Sequence, residues 1–290
     1  MSIVLDDVTF RYSTEQSHTD GLTHFSTTIQ DGDFVGVMGR TGSGKSTLLR
    51  LIDALITPQS GTISIDNLDI NGRNKNSYSR QLLRRRVGFV FQFPENQIFE
   101  TTVYREVTFG MRHLGFSKAE IEQNAQDILQ RFGFNYEAIK DISPLGLSGG
   151  QKRRVALASV LAAHPQILLL DEPIAGLDPL GREKFLNFLT ELNQSGMTII
   201  MVSHNSDAIC MCTRHLLILN HGMKVFDGVT SDAFSDSQEL TQYGIFPSQS
   251  SQLAYTLRQS GIQLPTNIIE PSSLFTSVAN VMRREEKSNE

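Results

Sequence analysis

The sequence predicts an α/β fold with a mainly parallel sheet, and three observations carry that expectation. Short apolar runs at 34–38, 167–170 and 198–202 offer no polar face, so each reads as a strand covered on both sides, as in a parallel sheet. The first runs into Gly39-Arg40-Thr41-Gly42-Ser43-Gly44-Lys45-Ser46, after which Thr47-Leu48-Leu49-Arg50-Leu51-Ile52 opens a helical apolar pattern. Strand, glycine loop and helix thus follow in the order that the pattern G-x-x-x-x-G-K-[ST] requires. Between 93 and 163 strand patterns give way to helical ones, the mark of a helical insert.

The glycine loop implies a nucleoside triphosphate. Its glycines let the backbone wrap a polyphosphate with N–H groups pointing inward, the helix start adds positive dipole, and Lys45 brings a charge to the outer phosphates. Ser46 can offer its hydroxyl to Mg²⁺. A plain glycine-rich turn is the alternative, and the complete motif with both flanks argues against it.

At the amino end Ile3, Leu5, Val8, Phe10 and Tyr12 roughly alternate with polar residues, and Leu22 to Ile29 repeats the pattern up to Asp31-Gly32, so an antiparallel β subdomain is expected. Tyr12 closes the first run, where its ring can stack on a base or cap the core. Residues 13–21 are polar and turn-forming and read as a loop. Thr57-Pro58-Gln59-Ser60-Gly61 breaks the chain after the first helix, and Thr62 to Asp66 with Leu68 to Ile70 reads as a strand turning into another edge. Arg84, Arg85 and Arg86 precede Val87-Gly88-Phe89-Val90-Phe91, a helix end followed by a strand; the cations match a helix carboxyl end or meet an anionic lipid surface. Gln92 ends that strand, where an amide can reach Mg²⁺ or a water.

Within the insert, Ser117-Lys118-Ala119-Glu120 is a capping box, followed by Ile121, Ala125, Ile128, Leu129 and Phe132 on one face until Gly133. Ser148-Gly149-Gly150-Gln151 opens another helix with free N–H groups, either an anion site or only a helix start. Ile167 to Leu170 then delivers Asp171 and Glu172 at a strand end: the first carboxylate can hold Mg²⁺ through water, and the second can deprotonate the attacking water. His204 follows the strand Thr198 to Ser203, where it can bond the outer phosphate or serve structure.

Composition narrows the field. A chain of 290 residues, 39% hydrophobic, builds a substantial core, and a formal net charge of −5 argues against nucleic acid as a partner. No stretch approaches the roughly 18 apolar residues of a membrane span, and the first residues lack signal-peptide features, so a soluble, cytosolic chain is expected. Cys210 and Cys212, the only cysteines, read as buried free thiols.

Taken together these spaced elements resemble the nucleotide-binding subunit of an ATP-binding cassette (ABC) transporter, over roughly residues 1–228. Gly39 to Ser46, with Thr47 beside it, resembles the Walker A loop; Gln92 the Q-loop; Leu147 to Gln151 the signature motif. Ile167 to Glu172 resembles the Walker B strand with catalytic Glu172, Gly176-Leu177-Asp178 the D-loop, His204 the switch histidine and Tyr12 the ring that stacks on adenine. The resemblance implies a RecA-like core, ATP and Mg²⁺ as ligands, and a composite site in which the signature residues of one chain face the nucleotide of another. Phe91 to Glu95 with Gln97-Ile98-Phe99, and Asp171 to Pro179, are most similar to the ATPases of energy-coupling factor importers of vitamins or metal ions. That likeness implies a second homologous ATPase, with a pair of paralogues favoured over a homodimer. It also implies a membrane scaffold, a substrate-binding membrane subunit, a place at the cytoplasmic face of the membrane, and a carboxyl-terminal helical extension over 229–290 that meets its counterpart. Soluble cassette ATPases of DNA repair or translation need a long coiled-coil insert or a second cassette, and no sustained heptads lie between Lys45 and Asp171. A non-catalytic regulatory cassette is opposed by the intact Glu172 and His204.

Overall fold

A computed structural model describes residues 2–14, 17–66, 68–70, 77–235 and 237–288. Its strands are β1 (Ser2–Thr14), β2 (Ser17–Gln30), β3 (Phe34–Met38), β4 (Ser60–Ile65), β5 (Leu68–Asp69), β6 (Val87–Val90), β7 (Ile167–Asp171), β8 (Thr198–Val202), β9 (His215–Asn220) and β10 (Met223–Val229). They form an antiparallel sheet in the order β2-β1-β4-β5 and a larger sheet in the order β10-β9-β3-β8-β7-β6. In the larger sheet β9, β3, β8, β7 and β6 run parallel and β10 closes the edge antiparallel.

The apolar runs behave as expected of strands covered twice. On β3, Val35 and Val37 join one core with Leu48, Leu49 and the antiparallel-sheet residues Ile3 and Leu5. Phe34 and Met38 join the opposite core with residues of the helical segments. The same alternation divides Ile167 and Leu169 from Leu168 and Leu170 on β7, and Ile200 and Val202 from Ile199 and Met201 on β8. Parallel strands also put their carboxyl ends on one edge, so the residues after β3, β6, β7 and β8 share it.

The helices are α1 (Lys45–Ile52), α2 (Ser77–Arg86), α3 (Val103–His113), α4 (Lys118–Arg131), α5 (Tyr136–Ile139), α6 (Gly149–Leu161), α7 (Pro179–Gln194), α8 (Ser206–Cys212), α9 (Thr230–Ala233), α10 (Ser237–Gln242), α11 (Gln249–Gln259) and α12 (Pro271–Ser288). The box before α4 is complete: the Ser117 N–H donates to Glu120 Oε2 at 2.7 Å and the Glu120 N–H to Ser117 Oγ at 3.2 Å. The loop expected over 13–21 is corrected. Tyr12 pairs with Thr19, Ser13 with His18 and Thr14 with Ser17, because a hairpin ladder is made by main-chain groups and needs no apolar side chains. After β10, Phe234, Leu240, Ile245 and Ile269 pack into the principal core, while Ala254, Leu264 and Ile268 form a satellite cluster. Cys210 and Cys212 are free, and burial pushes their thiols up to about 12 and about 11.

Candidate nucleotide site

The loop between β3 and α1 is fixed by close approaches that only glycine permits. Gly39 has φ +140°, and a Cβ there would lie 2.1 Å from the Leu219 carbonyl oxygen; Gly44 has φ +104°, and its Cβ would lie 2.2 Å from the Gly21 carbonyl oxygen. The Gly222 N–H donates to the Ser43 carbonyl at 3.0 Å, tying the loop to the β9–β10 turn. Lys45 is almost wholly buried, and its ammonium donates to the carbonyls of Gly39 at 2.8 Å and Arg40 at 2.9 Å. Burial lowers its pKa, while the charges of Glu172 and Asp171 work the other way.

A cavity of about 160 Å³ opens beside the loop, lined by Tyr12, Gly21, Gly42, Gly44, Lys45, Ser46 and Thr47. The Tyr12 hydroxyl lies 3.2 Å from Thr47 Oγ1, and its ring meets Phe10 edge-on. The sequence reading assigned six of these residues and missed Gly21. Its signal was a glycine entering an alternating apolar run, the pattern of close backbone approach.

On the same sheet edge Glu172 turns sharply out of β7 at φ +50°, with its N–H on the Val202 carbonyl at 3.0 Å. The His204 N–H donates to Glu172 Oε2 at 3.4 Å, and His204 Nε2 stands 3.5 Å from Oε1. That oxygen is buried without a hydrogen-bond partner among the described residues. Burial raises the Glu172 pKa, opposed by the His204 backbone bond and the Lys45 charge. Burial, and after it the Lys45 charge, lowers the His204 pKa, while the Asp171 charge works the other way.

The remaining expected residues do not line this cavity. Gln92 is exposed beyond β6, the neighbour of β7. The Ser148 hydroxyl and the Gln151 amide close a capping box on α6, and Gly149 and Gly150 are exposed at its first turn. Asp178 caps α7, accepting from the Gly181 N–H at 2.6 Å. Arg153, which sequence reasoning missed, is buried and donates to the carbonyls of Pro173 and Ala175, bracing α6 against the turn that carries Glu172.

The site fits a triphosphate with magnesium. Among the described residues no side chain caps α1, whose first N–H groups have no helical partners and lie beside the cavity, and the buried Ser43 hydroxyl has no hydrogen-bond partner. Around the loop, Ser46 and Asp171 present oxygen donors, the kind Mg²⁺ selects. Among the described residues no group of three or more His, Cys, Asp or Glu side chains forms a metal cage, consistent with an ion liganded largely by phosphate and water.

A phosphate loop on a parallel sheet, a carboxylate pair on the next strand but one, and a histidine on the strand between them define a nucleotide-hydrolysing cassette. Residues 22–175 match the ABC transporter family, and the chain belongs to it. The chain is 39% identical over 286 residues, 98% of both chains, to the energy-coupling factor transporter ATP-binding protein EcfA2 of Clostridioides difficile. It is 43% identical over 237 residues to the protein of the same description in Streptococcus pneumoniae, covering 81% of this chain and 84% of that one. Among solved structures it resembles the ATP-binding cassette MJ0796, a dimer in a post-hydrolysis state bound to ADP and Pi, with a TM-score of 0.70 and 31% identity over 79% of this chain and 98% of that one. The Clostridium perfringens protein cbiO1, part of the ABC transporter complex cbiONQ, matches with a TM-score of 0.70 and 30% identity over 88% of this chain and 98% of that one. Within the family the chain groups with the energy-coupling factor ATP-binding proteins; it is an ATPase that takes ATP and Mg²⁺.

Proposed function

We propose that this ATPase powers a membrane importer of the energy-coupling factor type, carrying a vitamin or a metal ion, by closing on ATP with a second cassette and reopening after hydrolysis. The observation that carries the reading is the meeting of Lys45, Glu172 and His204 at one sheet edge, on a chain whose signature helix start faces solvent.

The N–H groups of residues 42–47 bind the phosphates, and Tyr12 receives the base at the mouth of the cavity. Ser46, Asp171 and Gln92 hold Mg²⁺, which neutralises phosphate charge when bound. Glu172 takes a proton from water as the water oxygen bonds to the outer phosphorus; the bond from that phosphorus to the bridging oxygen breaks, and ADP leaves with the electron pair. Lys45 balances charge on the departing oxygens, and His204 holds the Glu172 carboxylate and the outer phosphate in register. Ser148, Gly149, Gly150 and Gln151, with Asp178, serve the nucleotide held by the partner.

Residues 1–228 form the catalytic cassette, with an insert over 93–163, and 229–290 provide a further contact between cassettes. We favour a related second ATPase over a second copy of the chain. Among the described residues no helix is long and apolar enough to cross a membrane, so attachment to the cytoplasmic face would come through partners: a scaffold and a substrate-binding subunit. A groove of about 280 Å³ beside the insert suits an amphipathic helix of that scaffold. The half-exposed Phe109 and the more exposed Phe99 meet edge-on at its wall. Tyr104 does not line this groove; it packs against the core and bonds Glu122 inside the insert.

Affinity purification from membranes tests the reading. Recovery of a second cassette ATPase with two kinds of membrane subunit is expected, with cargo uptake that stops when Glu172 is replaced by Gln. A fully active ATPase recovered without membrane proteins would overturn it.

A further inference from the structure

One segment outside the site touches both the phosphate loop and α8, the helix that follows His204. The Arg40 guanidinium, on the loop, donates to the Gln242 carbonyl at 3.1 Å. At Gly244, φ is +72°, and a Cβ there would lie 2.7 Å from Arg40 Cγ, so the arginine stem passes directly against the backbone. Two residues beyond His204, the buried Ser206 hydroxyl donates to the Phe246 carbonyl, and Asp207 Oδ1 accepts from the Gln249 N–H at 2.8 Å. Between these ties Ile245 is buried in the principal core with Ile209 of α8, so the segment has little freedom to slide. Residues 242–249 thus hold three hydrogen bonds to the phosphate loop and α8, and they lead directly into α11.

We propose that residues 242–249 are a positioning strap for ATP hydrolysis, with Arg40, Ser206 and Asp207 as positioning residues that fix the phosphate loop and His204 relative to one another. Two of the three strap groups are backbone carbonyls and one is a backbone N–H, so any displacement of α11 moves all three together. The carboxyl-terminal segment gains through them a mechanical link to the nucleotide. The inference rests on the role assigned to His204 and the loop, and not on the importer.

The test is steady-state ATPase kinetics and ATP titration with the full-length chain in its assembled complex. Asp207→Ala and Ser206→Ala should each lower kcat about 3- to 10-fold, the worth of one hydrogen bond, with KM for ATP little changed. Asp207→Asn keeps an acceptor oxygen and should restore the parent rate, a rescue that loss of fold stability alone does not give. Arg40→Ala should weaken ATP binding, and combined with Asp207→Ala it should cost less than the product of the single effects, since both act through one strap. Multiplicative effects, or an unrescued Asp207→Asn, overturn the strap. His204→Ala is the reference: full activity there overturns the assignment beneath, whereas loss there with normal Asp207→Ala and Ser206→Ala overturns the strap alone.

Discussion

Replacing Glu172 by Gln keeps the shape of the side chain and removes its basicity. Glu172 is held at φ +50° by its N–H on Val202, its Oε2 accepts from the His204 N–H, and Oε1 has no hydrogen-bond partner among the described residues. A positioned general base contributes about 10²- to 10⁴-fold, so kcat should fall by that factor, equivalent to about 2.7–5.4 kcal/mol of barrier. ATP binding should persist, because Lys45 and the loop are untouched, and closed dimers should accumulate on ATP. The pH profile supplies a second readout. Burial raises the Glu172 pKa, so in the parent the base is protonated and the rate falls at a pH above the ordinary carboxylate range. That acid limb should vanish in the residual rate of the variant. Stability provides a third. A raised folded-state pKa means the native state binds the proton more tightly than the unfolded chain, so ionised Glu172 costs stability at neutral pH, and the cost fades as pH falls. The variant should therefore match or exceed the parent Tm at pH 8, with the difference closing toward acid; the gain is limited because Lys45 loses a compensating carboxylate. Parental kcat, with an unshifted acid limb, would refute the assignment.

Lys45→Ala should weaken ATP binding by at least about 10- to 100-fold in a titration, the value of a charge-assisted hydrogen bond to phosphate; near-parental affinity speaks against the loop assignment. Ser148→Arg should spare binding at the chain's own loop and abolish hydrolysis in trans: mixed with Lys45→Ala chains it should confine the two defects to distinct composite sites, and any other pattern contradicts the shared geometry. Charged residues at Phe99 and Phe109 should release the membrane partner in co-purification while ATP affinity stays within about twofold; undiminished co-purification removes the groove. Arg153→Ala should destabilise the fold by about 2–5 kcal/mol in urea unfolding, since it strands the buried carbonyls of Pro173 and Ala175; a change below about 1 kcal/mol contradicts the bracing role.

The parallel sheet was readable because nearly every apolar residue of β3, β7 and β8 serves one of two cores, leaving no polar phase to confuse the period. The loop and the carboxylates were readable because chemistry fixes their residue types and spacing. The hairpin over 13–21 was hidden: its pairing is made by backbone groups, and its polar side chains carry the signal of a turn. Gly21 was hidden with it, since its role is a carbonyl against Gly44 and depends on a contact across the chain. Arg153 carried no such signal, and only the fold reveals that it is buried and bonded to carbonyls 20 and 22 residues away.

The glycines of the phosphate loop and those at the start of α6 differ in what the chain asks of them. In the loop the chain itself demands them: Gly39 and Gly44 hold positive φ, and a Cβ on either would collide with a backbone carbonyl. Gly149 and Gly150 are different. Both have helical backbone, both are exposed, and a Cβ on either would meet nothing within 4 Å. Within this chain any residue would fit there, and most would favour the helix more than glycine does. Nor does the flanking cap need a phosphate, because Ser148 and Gln151 already satisfy one another. Two adjacent glycines at an exposed helix start fit the role proposed for α6, in which a surface outside the chain approaches closely enough for a methyl group to intrude. The proposal makes that surface a nucleotide seated on another cassette, the same partner that Asp178 would meet from the start of α7.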